Sequence, residues 1–121
     1  MIKVENLTKR YAAKTAIEGM SFEVHKGEIL GFLGPNGAGK TTTMRIITGF
    51  MPASAGSVRV DGYEVFDNPL DVRRRIGYLP ENPPLYPEMD VAGYLRFVAK
   101  IKGVPKDRLN SEVSRVMDRV N

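Results

Sequence analysis

Apolar and polar residues along this chain follow two rhythms, and the switches between them outline its elements. Residues 2–7 and 16–24 follow the two-residue repeat of half-buried strands. In the second, Ala16, Met20, Phe22 and Val24 share one parity, with Glu18, Ser21, Glu23 and His25 between or beside them. Lys26-Gly27-Glu28 predicts a turn into a short apolar run, Ile29-Leu30-Gly31-Phe32-Leu33, expected to be a strand buried on both faces. The period then changes. Lys40 to Thr48 carries Met44, Ile46 and Ile47 without a proline, which predicts a helix closed by Gly49. Residues 57–61 alternate again, and Gly62 ends that strand. Pro69 to Arg75 predicts a short helix with proline in its first turn, and Ile76 to Leu79 another short strand.

Beyond this point the chain reads as helical. Four prolines between Pro80 and Pro87 require an extended loop. Asp90 is placed to cap the next helix, with Met89 and Tyr94 as a hydrophobic staple. Val91, Tyr94, Leu95 and Val98 keep helical spacing up to Gly103. Pro105 opens a last helix with Leu109, Val113, Val116 and Val120 on one face.

Between the expected buried strand and the first helix lies the segment richest in chemistry. Residues 34–41, Gly34-Pro35-Asn36-Gly37-Ala38-Gly39-Lys40-Thr41, match the phosphate-cradling pattern G-x-x-x-x-G-K-[ST] in full. Its glycines allow sharp or left-handed backbone and close approach to a ligand. A row of N–H groups at a helix start then forms an anion nest. Lys40 can reach β- and γ-phosphate oxygens, and the Thr41 hydroxyl can ligate Mg²⁺. Strand, glycine loop and helix, in that order, are the context this motif requires.

Composition narrows the picture without redirecting it. The 121 residues include no cysteine, which excludes a disulfide framework and thiolate metal sites. No apolar stretch approaches the roughly 18 residues that span a bilayer, and no leader pattern opens the chain, so a cytoplasmic location is expected. The net charge of +4 raises the question of nucleic acid. The basic residues are scattered, however. The one dense run, Arg73-Arg74-Arg75, follows Asp71 in a helical turn and has no interleaved aromatics, so no nucleic-acid partner is expected.

Taken together, Tyr11, Gly27-Glu28, the loop from Gly34 to Thr42, Pro52…Gly56 to Gly62, and Ile76-Gly77-Tyr78-Leu79-Pro80-Glu81 resemble the N-terminal half of an ABC transporter ATP-binding subunit. The last segment is most similar to ABC-2-type exporters, the group that includes gliding-motility and drug-export systems. The resemblance implies an α/β fold, a P-loop NTPase of ABC type, incomplete here. An antiparallel ribbon would lie beside the phosphate-loop core, with residues 1–89 forming the ATP-binding core and 90–121 the start of a helical subdomain.

It also implies roles for particular residues. Tyr11 would stack on adenine. Gly34, Pro35, Asn36, Gly37, Ala38, Gly39, Lys40, Thr41 and Thr42 would hold the phosphates, with Thr42 on the α-phosphate. Lys40 would stabilise charge in the reaction, and Thr41 would bind Mg²⁺. Glu81 stands where most of the family has a glutamine that ligates Mg²⁺ and couples to the membrane subunit. Its carboxylate is a harder oxygen ligand, and it can also take a proton in the reaction, which an amide cannot.

The cofactors implied are ATP and Mg²⁺. The implied partners are a transmembrane permease subunit and a second ATP-binding subunit arranged head to tail, at the cytoplasmic face of the membrane. Residues 1–121 hold no Leu-Ser-Gly-Gly-Gln signature, no apolar strand ending in Asp-Glu and no late switch histidine, since His25 precedes the loop. The chain is therefore expected to be inactive alone. The unpaired apolar run 29–33 is expected to leave it marginally stable or self-associating. Two other readings stand beside this one: a catalytically dead nucleotide-binding or interaction module, and a soluble ABC protein without a transport role. A GTPase reading lacks the Asn-Lys-x-Asp segment.

Overall fold

Four antiparallel strands form the sheet of the computed structural model, which describes residues 1–120. In chain order these are β1 (Ile2–Tyr11), β2 (Lys14–Val24), β3 (Ala55–Val60) and β4 (Tyr63–Glu64), arranged β2-β1-β3-β4. β1 and β2 form the expected ribbon, turning at Ala12 and Ala13 between the Tyr11–Lys14 pair. β3 and β4 are joined by Asp61-Gly62, both at positive φ (52° and 84°), the mirror-image turn whose twist suits a two-residue hairpin.

The helices are α1 (Lys40–Ile47), α2 (Pro69–Arg75), α3 (Val91–Ile101) and α4 (Leu109–Val120), the last preceded by a 3₁₀ turn over Lys106–Arg108. Their ends follow local chemistry. Beyond the Thr48 cap of α1, Gly49 takes φ 74°, its N–H donating to the Ile46 carbonyl at 3.0 Å while Phe50 N–H donates to that of Arg45 at 2.8 Å. This is the paired closure that a left-handed residue makes possible. Pro69 opens α2, where a missing N–H costs nothing. Asp90 caps α3 by accepting a hydrogen bond from Gly93 N–H at 2.6 Å.

The chain divides into two compact units, Met1–Tyr78 and the residues from Leu79 on. In the first, α1 packs against β2 and β3, and α2 against β4. Val4, Leu7, Ile17, Val58 and Val60 from the sheet meet Ile46 and Ile47 of α1, with Val65 and Val72 completing the core. In the second unit, α3 packs on α4, where Leu109 and Val113 are buried. The Tyr86 ring meets Phe97 edge-on at 5.7 Å.

Two sequence expectations need correction. Residues 28–33 are not a strand: they join no ladder, and Ile29 and Leu33 are 97% and 93% exposed. A strand buried on both faces needs neighbours on both edges and cover on both sides. Among the described strands none pairs with this run; only Phe32 is drawn in, tilted against Phe22 at 5.6 Å. Residues 76–79 likewise form no strand. Ile76 packs on the core, but Leu79 is exposed.

The parity of β2 also departs from expectation. Ile17, on the opposite parity to Met20 and Phe22, is the deepest residue of that strand. The pairing register shifts between Leu7–Met20 and Lys9–Ile17, beside Asn6 and Gly19 at positive φ, and this irregularity turns Ile17 inward.

Candidate phosphate-binding site

The loop Gly34–Gly39 is exposed along most of its length and feeds directly into α1. Gly39 is the N-terminal cap residue of that helix at φ 89°, and no side chain caps the helix. The first turn holds Lys40, Thr41, Thr42 and Thr43, with no carboxylate to compete for the positive end of the helix. The leading N–H groups are thus left to an external acceptor. Gly37 also has positive φ (84°), and the loop folds on itself through Ala38 N–H to the Pro35 carbonyl at 3.2 Å.

Lys40 reaches back across this loop. Its Nζ donates to the carbonyl oxygens of Gly34 and Pro35, the latter at 2.8 Å. An ammonium whose partners among the described residues are neutral carbonyls on an exposed loop is ready to exchange them for anionic oxygens, which form stronger charge-assisted bonds. The structure therefore gathers Gly34, Pro35 and Lys40 around one point at the head of α1.

The three threonines at the head of α1 divide in role. Thr43 is fully buried, its hydroxyl donating to the Gly39 carbonyl at 2.9 Å. Thr41 is exposed, and its hydroxyl has no hydrogen bond among the described residues. Thr42 is half-buried. A hydroxyl oxygen at the head of α1 suits a hard cation that retains most of its water and takes few protein ligands, as Mg²⁺ does. The chemistry of the exposed Thr41 hydroxyl fits that ion.

Tyr11 stands at the end of β1, 43% exposed. Its hydroxyl meets Met51 Sδ at 3.2 Å, and Lys9 Nζ lies over the ring, 5.3 Å from its centre. The Met51 N–H in turn donates to the Arg45 carbonyl of α1 at 3.4 Å. Met51 carries no local signal of this role, because it lies 40 residues from Tyr11 along the chain. Glu81 lies in the second unit, exposed, in the bend after Pro80. His25 belongs to a turn, its N–H donating to Glu28 Oε2 at 2.7 Å. No helix among the described residues is long and apolar enough to cross a membrane.

Comparison with known proteins points one way. A family model described as ABC transporter matches residues 17–121. The linearmycin resistance ATP-binding protein LnrL of Bacillus subtilis is 36% identical over 120 residues, which cover 99% of this chain and 39% of LnrL. The bacitracin transport ATP-binding protein BcrA of Bacillus licheniformis is 36% identical over 117 residues, covering 97% of this chain and 38% of BcrA. This chain spans about two fifths of the length of these curated relatives. Among solved structures, an ATP-binding subunit of an ABC transporter superposes with a TM-score of 0.81 at 35% identity, over 89% of this chain and 45% of that one. The ATP-binding cassette MJ0796, dimeric and bound to ADP and Pi, shares the fold with a TM-score of 0.80 at 22% identity, over 95% of this chain and 55% of that one.

Proposed function

Because the chain belongs to the ABC transporter ATP-binding family, we propose that it supplies the nucleotide-holding part of an ATPase subunit that drives export across a membrane. Its fold is the α/β P-loop cassette of that family, present in part. One observation carries the reading above the others: an uncapped, carboxylate-free helix start at Lys40, with the Lys40 ammonium resting on loop carbonyls beside it.

In this reading the N–H groups of the loop and of the first turn of α1 receive the β- and γ-phosphates. Lys40 leaves the Gly34 and Pro35 carbonyls to bind their oxygens and offsets the charge that builds up during phosphoryl transfer. Thr42 meets the α-phosphate, and the Tyr11 ring receives adenine, to which an aromatic face offers a stacking surface. Mg²⁺, when bound, would neutralise phosphate charge, with the Thr41 hydroxyl as a ligand; the family resemblance alone, and no geometry, suggests Glu81 as a further, charged one. The attacking water, the completed site and the force passed to a transmembrane subunit belong to the assembled transporter. That assembly would pair two ATP-binding subunits head to tail on its cytoplasmic side. The linearmycin resistance that LnrL is named for and the bacitracin transport of BcrA support export of a small molecule as the work performed.

Equilibrium binding of ATP to the full-length protein, with and without Mg²⁺, tests this reading. Replacing Lys40 with alanine should weaken ATP by about 10- to 100-fold, the range expected when a charge-assisted hydrogen bond is lost. Glu81→Ala should reduce the Mg²⁺-dependent part of the affinity. Unchanged triphosphate binding in Lys40→Ala would remove the central assignment, and unchanged Mg²⁺ dependence in Glu81→Ala would remove that of Glu81.

A further inference from the structure

Tyr11 is not a loose ring at a hairpin corner. Its hydroxyl is tied to Met51 Sδ at 3.2 Å, and Lys9 Nζ sits over the ring at 5.3 Å. Lys9 is itself fixed, its Nζ donating to the Pro52 carbonyl at 2.7 Å. The segment carrying Met51 and Pro52 is stitched to β1 by two further bonds. Ser54 N–H donates to the Thr8 carbonyl at 2.8 Å, and Arg10 N–H to Ser54 Oγ at 3.0 Å. Both the tip and the ring are therefore held by groups that are themselves held.

This arrangement bears on binding. A stacking side chain that is free to rotate loses that freedom when a flat ligand arrives, and the loss subtracts from affinity. A ring already oriented avoids most of it. From the two contacts on the ring and the bonds beneath them we propose that Lys9 and Met51 are positioning residues. They fix the plane of Tyr11 so that a purine base stacks on the ring face opposite the Lys9 ammonium. The proposal rests on the reading of Tyr11 as the base-binding residue and deepens it. Lys9 also draws on the π electrons of the covered face, a cation–π contact that an uncharged side chain does not make. Because Met51 is bonded to Arg45 of α1, whose other end carries Lys40 and Thr41, the base-holding and phosphate-holding groups share one framework.

The test separates base from phosphate. Binding of ATP and of inorganic tripolyphosphate to the full-length protein is measured by calorimetry, and the dissociation constant of tripolyphosphate divided by that of ATP reports the contribution of the base. Tyr11→Ala should lower that ratio by about tenfold or more, in line with the loss of one stacked base. Lys9→Gln, which removes an exposed cation–π contact, and Met51→Leu, which removes the acceptor of the Tyr11 hydroxyl, should each lower it by about two- to fivefold with tripolyphosphate binding unchanged. Lys9→Arg, which keeps the cation over the ring, should restore the ratio. In the Tyr11→Ala background, Lys9→Gln should have no further effect.

If Tyr11→Ala lowers the ratio but Lys9→Gln and Met51→Leu do not, the positioning role is overturned while base stacking stands. If Tyr11→Ala itself leaves the ratio unchanged, the stacking assignment and the positioning role fall together. Equal weakening of both ligands by Lys9→Gln would mark general damage to the fold and overturn the proposal as well.

Discussion

A Cβ placed on Gly39 would stand 2.6 Å from the Ala16 carbonyl oxygen and 2.9 Å from Ile17 Cγ1. The last glycine of the phosphate loop is thus pressed onto the backbone of β2, and this contact seats the head of α1. Gly37 also has positive φ, yet a Cβ there would meet nothing within 4 Å. Gly39→Ala should therefore combine left-handed strain, about 1 kcal/mol, with a clash against main chain that has no room to yield. We expect a loss of about 2–4 kcal/mol in urea unfolding for Gly39→Ala and about 1 kcal/mol for Gly37→Ala. Equal losses would show that the close approach to Ala16 carries no weight.

Thr41 and Thr43, two residues apart on α1, should answer substitution in opposite ways. Thr43 is fully buried, with its hydroxyl on the Gly39 carbonyl. Thr43→Val keeps the shape but forfeits that bond, for an expected cost of about 1 kcal/mol in thermal or urea unfolding. Thr41 is exposed, and its hydroxyl has no hydrogen bond among the described residues, so Thr41→Ala should leave stability within about 0.5 kcal/mol of the parent. It should instead reduce the gain in ATP affinity that Mg²⁺ provides, measured by titrating nucleotide at fixed metal concentrations.

In the second unit the cap of α3 offers a test confined to one helix. Asp90 Oδ1 accepts from Gly93 N–H at 2.6 Å, and a Cβ on Gly93 would itself lie 2.6 Å from that oxygen. The missing side chain at 93 leaves room for the carboxylate. Asp90→Ala should cost about 1 kcal/mol, and Asp90→Asn, which keeps an acceptor, much less. Amide hydrogen exchange in the first turn of α3 would separate the two variants; identical protection would mean that the cap is idle.

What the sequence disclosed and what it withheld divide along a physical line. Gly49 beyond α1, Pro69 opening α2, and Asp90 and Gly103 bracketing α3 act through bonds that span only a few residues, so their signals are written locally. The phosphate loop was legible for the same reason. The run Ile29–Leu33 was misread because a strand is completed by partners distant in sequence, and apolar character alone does not supply them. The inward turn of Ile17 depends on a register shift opposite Asn6, and the clamp on Tyr11 bridges 40 residues to Met51. Neither has a local signature.

Ile29, Leu30 and Leu33 are 97%, 45% and 93% exposed, in a stretch whose backbone joins no ladder. Backbone that joins no ladder and carries exposed apolar side chains can pair with another chain. The 121-residue chain should therefore self-associate, with weight-average mass rising with concentration in sedimentation equilibrium. Ile29→Glu and Leu33→Lys, each placing a charge where the side chain already meets solvent, should shift that association to higher concentration. They should disturb the first unit little, since neither residue belongs to its core. A chain that stays monomeric at every concentration, with or without these charges, would show that the segment does not recruit a partner strand.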